Sequence, residues 1–398
     1  MDNNGLTRQR VKRLTTLTCT LLLLLSSCGD KDDDISITPS EGANTNAGES
    51  ELPATSERLT DLAPVAAAFQ QAAQSAMAET VALCRQLEVG VQSFLNDPNE
   101  ETQANAQQRF IECHQRWTAS ALYFTEPFNL NEAKGLKRTL DLIDTRPFLP
   151  GYIDGIPLYP YSGLVHELEL AITEDTLLGQ HRLMDEESAS LGFPVVEFFL
   201  WKTPLADFWQ TKTDEDAQTL VNRRLSYLKI ANAHLSKQLD KAQARWSDSG
   251  EFSELPDRAK FNVLVKTLQR FTMVKLLNHT FAETSLEEPE WIHPAQFAGN
   301  GRAYLLKQVD EISRLLGTEA EPSVFSQWLT KETSIEITGK NLQAAVAKVQ
   351  ASLAELPESF PFESETNEQW LAARQAVAAM ALEFTKLSQN LNLTVVTQ

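Results

Sequence analysis

The residues best suited to chemistry stand in GFPVVEFFLW, residues 192 to 201, where one carboxylate, Glu197, interrupts an apolar run. If 194 to 201 is a helix, Pro194 suits its first turn, where a missing N–H costs nothing. The helix neighbours of Glu197 are then Phe193 and Pro194 one turn back and Leu200 and Trp201 one turn on, all apolar. An ionised carboxylate in that setting is expensive, so Glu197 needs a raised pKa, a basic partner or a metal. A structural ion pair, with Arg116, Arg223, Arg270 or Arg302 as partner, and a metal site are both open. His279 and Glu283, in NHTFAE, are four apart and face the same way on a helix, as two ligands of one metal ion would. His114 and His166 stand alone, as packed or surface histidines usually do. Gly-x-Ser-x-Gly, HExxH, CxxCH and Gly-rich phosphate loops are all absent from the sequence.

Helices must position these groups. Apolar residues recur every three or four positions over 61–95, 101–126, 213–247, 258–286, 300–317, 338–355 and 366–391. No comparable stretch alternates as a strand does. Breakers such as EPSVF at 321 to 325 and ELPESFPFESE at 355 to 365 fall between them. Long helices with short connections predict an all-α fold of two up-and-down helical bundles side by side, over 58–210 and 211–398. The interval 127–212 reads differently: it holds seven prolines and the turn-rich, aromatic text RPFLPGYIDGIPLYPYSG. Long irregular segments within a compact domain are usually functional, so chemistry is expected near it. Its aromatic residues, with Phe193, Phe198 and Trp201, suit either a ligand cleft or an apolar seam between bundles.

Residues 1–27 read as a secretion signal: Arg8, Arg10, Lys12 and Arg13 precede an apolar run too short to span a membrane. The run ends at Leu25-Ser26-Ser27-Cys28, which resembles the bacterial lipobox and predicts lipidation of Cys28; three acyl chains suffice for stable anchoring. Residues 28–57 are polar, with almost no bulky apolar residues, and predict a disordered tether. The expected location is the cell envelope: the outer membrane facing the periplasm, with surface exposure open because Lys31 to Asp34 resembles an export signal. Net charge is −19 for the whole chain and −22 without the first 27 residues, which carry four Lys/Arg and one Asp. Nucleic acid is thereby excluded as a partner, and anionic head groups are disfavoured.

Cys84 and Cys113 remain, in an oxidising compartment. Each lies on an apolar helical stripe, and NDPNEE between the helices centres a turn about equally far from both. Equal distance from the turn sets residues side by side in an antiparallel hairpin, which predicts a disulfide over two buried thiols.

GFPVVEFFLW also resembles the Gly-x-His-x-x-Glu helix, followed by Tyr/Phe-Leu-Leu-Trp, of the imelysin family, whose members are often filed as M75 peptidases. IDTRPFLPGYIDGIPLYPYSG at 143 to 163, the Trp117 helix with Glu126 and Phe128, and FAGNGRAYLLKQVDEISRLLG at 297 to 317 extend the resemblance from about residue 60 onward. It implies two helical bundles with a site between them and a link to iron acquisition. By the same resemblance Glu126 and Asp154 join Glu197, His279 and Glu283 as candidate ligands of iron or another divalent metal. Pro194, however, stands where the family has histidine, and proline supplies no nitrogen ligand. Ala121 stands where members often have arginine. The expectation is therefore a lipid-anchored envelope binding protein connected with iron or other metal handling, with a degraded metal site and no catalytic residues. A divergent M75-type metallopeptidase, or a helical scaffold for another envelope protein, are the alternatives.

Overall fold

The computed structural model describes residues 59–209, 215–282, 293–294, 297–332, 335–360 and 367–393. The signal, the tether with Cys28, the boundary expected near 210/211 and Glu283 lie outside them. The first two helices, α1 (Leu62–Asn96) and α2 (Glu100–Ser120), follow the apolar spacing closely. α2 starts with a capping box: Thr102 N–H donates to Asn99 Oδ1 at 3.0 Å, and Asn99 N–H donates to Thr102 Oγ1 at 3.2 Å. Glu100 and Glu101 in its first turn face the positive end of the helix dipole. The tight turn folds α2 back along α1, and Cys84 and Cys113 form the disulfide between them.

The interval 127–212 is not irregular throughout. It contains α3 (Leu130–Ile143), α4 (Glu174–Gln180) and α5 (Phe193–Trp201). The 14-residue α3 escapes periodicity because it buries only Leu142 and Ile143; its start is set by Asn129, whose side chain accepts from the amides of Asn131 and Glu132. Between α3 and α4 the chain is largely non-helical. It is held by Arg223, whose guanidinium donates to the carbonyls of Leu164, Val165, Glu167 and Leu170. Gly192 (φ 96°) leads into α5, and a Cβ there would meet the Ile143 carbonyl oxygen at 2.6 Å. That close approach fixes where α5 starts relative to the end of α3.

α6 (Glu215–Ala244) packs on α1, α3 and α5. After the short α7 (Glu251–Glu254), α8 (Asp257–Arg270) runs straight into a π-helix, Phe271–Thr280. Such wide turns are rare and concentrate at functional sites. α9 (Gly301–Leu316), α10 (Val324–Lys331), α11 (Gly339–Ala354) and α12 (Asn367–Asn390) complete the described chain. α10 begins inside the EPSVF breaker, with Ser323 as its cap. α11 packs on both α9 and α12, α9 packs on α2, and α12 packs on α8 and the π-helix. One buried apolar cluster runs through these elements, and no strand occurs among the described residues.

Candidate functional site

α5 is buried along nearly its whole length, and Glu197 has no exposed surface. Its burial is balanced by three donors. Arg146 Nη2 donates to Oε2 at 3.2 Å, while the backbone amides of Phe297 and Ala298 donate to Oε1 at 2.9 and 3.0 Å. Arg146 extends the cluster, donating through Nε to Asp144 Oδ1 at 3.2 Å and through Nη2 to the Pro294 carbonyl at 2.8 Å. Asp144 Oδ2 lies 3.1 Å from His114 Nε2, and His114 Nδ1 lies 3.2 Å from the Tyr304 hydroxyl. The His114 ring stacks on Phe193, centroids 4.3 Å apart. Burial by itself would raise the Asp144 carboxyl, but Arg146 and His114 outweigh it and hold its pKa at about 2. Burial, and then the charge of Glu197, push the Tyr304 hydroxyl well above its ordinary value.

Glu197 thus has the basic partner its surroundings demand, and that partner is none of the four arginines considered from sequence. Arg116 goes to Glu79 and Glu311, Arg223 to backbone carbonyls, Arg270 to Glu126, and Arg302 to the Leu356 carbonyl. Arg146 and Asp144 stand in IDTRPFLPG, next to the residues that carried the family resemblance, but nothing local points them at position 197.

The metal set expected from sequence is not gathered. Both Glu197 oxygens already accept from N–H donors, and a metal ion there would lie against the Arg146 cation. Glu126 pairs with Arg270 at 2.7 Å. Asp154 is held by Arg224 and His166, and accepts from its neighbour Gly155 N–H. Glu283 lies outside the described residues, and among those described no three His, Cys, Asp or Glu side chains converge. These residues therefore do not fit a metal ion at Glu197.

Chemical opportunity lies next to the cluster. A cavity of about 290 Å³ opens between α2, α3, α9 and the π-helix, and Asp144 and Arg146 form part of its wall. Facing them are Lys275 and His279, set four residues apart on the π-helix. Both residues are exposed, yet the protein packed around their charged ends alters their acidity. Desolvation, with the Arg146 charge, lowers Lys275 despite the opposing effect of Asp144. Desolvation, and then the Lys275 charge, lower His279 to about 4, so its ring is neutral at pH 7. The cavity can therefore present a cation and a neutral imidazole to a small ligand. His279 was foreseen as a site residue; Lys275, one helical step before it, was not.

The sequence matches the profile of the imelysin family, peptidase M75, over residues 67–283. The fold is similar to that of an imelysin-like protein from Psychrobacter arcticum 273-4, with a TM-score of 0.59 and 15% identity, covering 84% of this chain and 98% of that one. It is also similar to a candidate iron-regulated protein A precursor from Parabacteroides distasonis ATCC 8503, with a TM-score of 0.63 and 10% identity, covering 83% of this chain and 94% of that one. At such identities the likeness speaks to fold alone. No curated protein matches the chain significantly.

Proposed function

The chain belongs to the imelysin family, and from that premise we propose that it is a lipid-anchored binding protein of the bacterial cell envelope, connected with iron handling and not a peptidase. The observation that carries this reading is the contrast at the site. The acid of the family motif is spent on Arg146 and two backbone amides, while a cavity lined by Lys275 and a neutral His279 opens beside it. A water-activating metal on Glu197 would lie against the Arg146 guanidinium and compete with donors held at normal hydrogen-bond distances. The lipobox-like Cys28, the polar tether and the acidic charge support an anchored body standing off the membrane surface. The link with iron rests on the family resemblance and on the name of the Parabacteroides neighbour.

A strain of the host bacterium lacking this protein tests the role. The expected result is a growth deficit when iron is withheld, none when it is supplied, and rescue by the wild-type chain but not by Cys28→Ser. Growth indifferent to iron would remove the iron connection. The hydrolytic alternative is tested on the purified chain: a chelator-sensitive peptidase activity abolished by Glu197→Gln would overturn the binding role.

A further inference from the structure

We propose that the cavity beside the Glu197 cluster is the binding site for a small aromatic carboxylate that carries one hydrogen-bond donor. The inference deepens the binding role proposed above and rests on it only for physiological relevance. Three features of the wall carry it.

The first is which polar groups are already engaged. Asp144 accepts from Arg146 and His114, and Asp141 is paired with Arg182 at 3.0 Å. Behind them, Glu197 accepts from Arg146 and the two amides. The Lys275 ammonium, by contrast, makes no hydrogen bond or close ion pair among the described residues, although it lines the cavity. An exposed ammonium at the rim of a cavity is matched by an anionic acceptor on a ligand that enters it, through a charge-assisted hydrogen bond.

The second feature is Gln308 on α9. It is only 4% exposed, it lines the cavity, and its amide oxygen is fully buried without a partner. Buried polar atoms are nearly always satisfied, so an orphan on a cavity-lining side chain points to a group that enters the cavity and meets the amide once the side chain turns. An amide oxygen calls for an N–H or O–H donor on the ligand.

The third is the apolar part of the wall. Trp117, Phe124 and Leu305 are all buried and contribute to the lining. At about 290 Å³ the cavity lies near the small end of ligand pockets, which run from roughly 300 Å³ upward. A single bicyclic ring with a short acidic arm fits that volume. The ring lies on Trp117 and Phe124, the acid reaches Lys275, and the donor reaches Gln308.

Indole-3-propionate is a suitable probe, since it combines a carboxylate, an aromatic body and one N–H. Titration calorimetry on the purified full chain would compare it with indole-3-propanol, which lacks the charge, tryptamine, which reverses it, and 1-methylindole-3-propionate, which lacks the donor. The acid is expected to bind with one-to-one stoichiometry, and the alcohol and amine about tenfold more weakly or worse. Lys275→Met is expected to erase the preference for the acid, while Lys275→Arg retains it. Gln308→Leu is expected to erase the preference for the free N–H over the methylated ring. Circular dichroism and melting curves matched to wild type establish that each variant is folded. The proposal is overturned if the amine binds as well as the acid, if folded Lys275→Met keeps full affinity, or if the acid does not bind. In that last case an intact iron-dependent growth phenotype would leave the envelope role standing with a different ligand.

Discussion

Glu197 and Glu311 are both almost wholly buried, and the protein settles them in different ways. Glu311 on α9 accepts from Arg116 Nη1 at 2.9 Å and from the Tyr123 hydroxyl at 2.7 Å, with Arg314 at 3.6 Å. Arg116 and Arg314 also reach the half-exposed Glu79, so this ladder of alternating charge runs from the interior out to water. It joins helix to helix. Glu197 instead takes two of its three donors from the backbone of a non-helical segment, at Phe297 and Ala298. It pins that segment in place and leaves room next to the cluster. The contrast teaches that a buried acid is not itself a functional sign; what its partners leave unsatisfied nearby is more informative.

The comparison can be broken most sharply by truncating each acid. Glu197→Ala leaves the Phe297 and Ala298 amides without their acceptor and removes one of the two carboxylates that hold Arg146, and it is expected to cost about 3–5 kcal/mol, measured by denaturant unfolding. Glu311→Ala should cost less, because Arg116 and Arg314 keep Glu79 as a partner. Equal losses would erase the distinction between a pinned segment and a helix-to-helix ladder. The disulfide holds the α1–α2 hairpin that presents Arg116 to Glu311, and it closes a loop with a sequence separation of 29. Replacing both cysteines by serine should lower stability by about 3–4 kcal/mol, seen as a drop in denaturation midpoint.

Acid should act on the Glu197 side in two stages. His279 and His293 have folded pKa values of about 4 and about 3, below their ordinary 6.5, because burial disfavours their charged forms. Their contributions are complete above pH 6.5 and are lost as pH falls toward the folded values. Asp144 follows: its folded value of about 2 lies below its ordinary 3.8. Its contribution of about 2 kcal/mol is therefore full above pH 3.8 and lost as pH falls through 2. Unfolding curves recorded at steps of pH, with Asp144→Asn as the control lacking the lower stage, would check both. The smallest effect is expected at Lys275, where methionine removes a cation without a close partner; melting should place Lys275→Met within about 1 kcal/mol of wild type. A larger loss would show the lysine to be a structural member of the cluster.

Much of the architecture was legible because its causes are local. The seven periodic stretches correspond to α1, α2, α6, the run from α8 through the π-helix, α9, α11 and α12. The cysteine pairing follows from the same register, since two helices joined by one tight turn leave equal-distance residues facing each other. α3 and α10 were not legible in this way. α3 buries too little of its surface to leave an apolar stripe, and α10 begins within the residues that look like a breaker.

At the site, sequence alone established that Glu197 lies in apolar surroundings and so requires compensation. The compensation itself could only come from the fold. Arg146 lies 51 positions from Glu197 and the Phe297 amide 100 positions away, so no periodicity or motif links them. The same holds for the cavity, where Trp117, Lys275 and Gln308 meet from three separate elements. Helix formation depends on neighbours within a turn, whereas the partner of a buried charge depends on which distant surfaces pack together, and only the tertiary structure decides that.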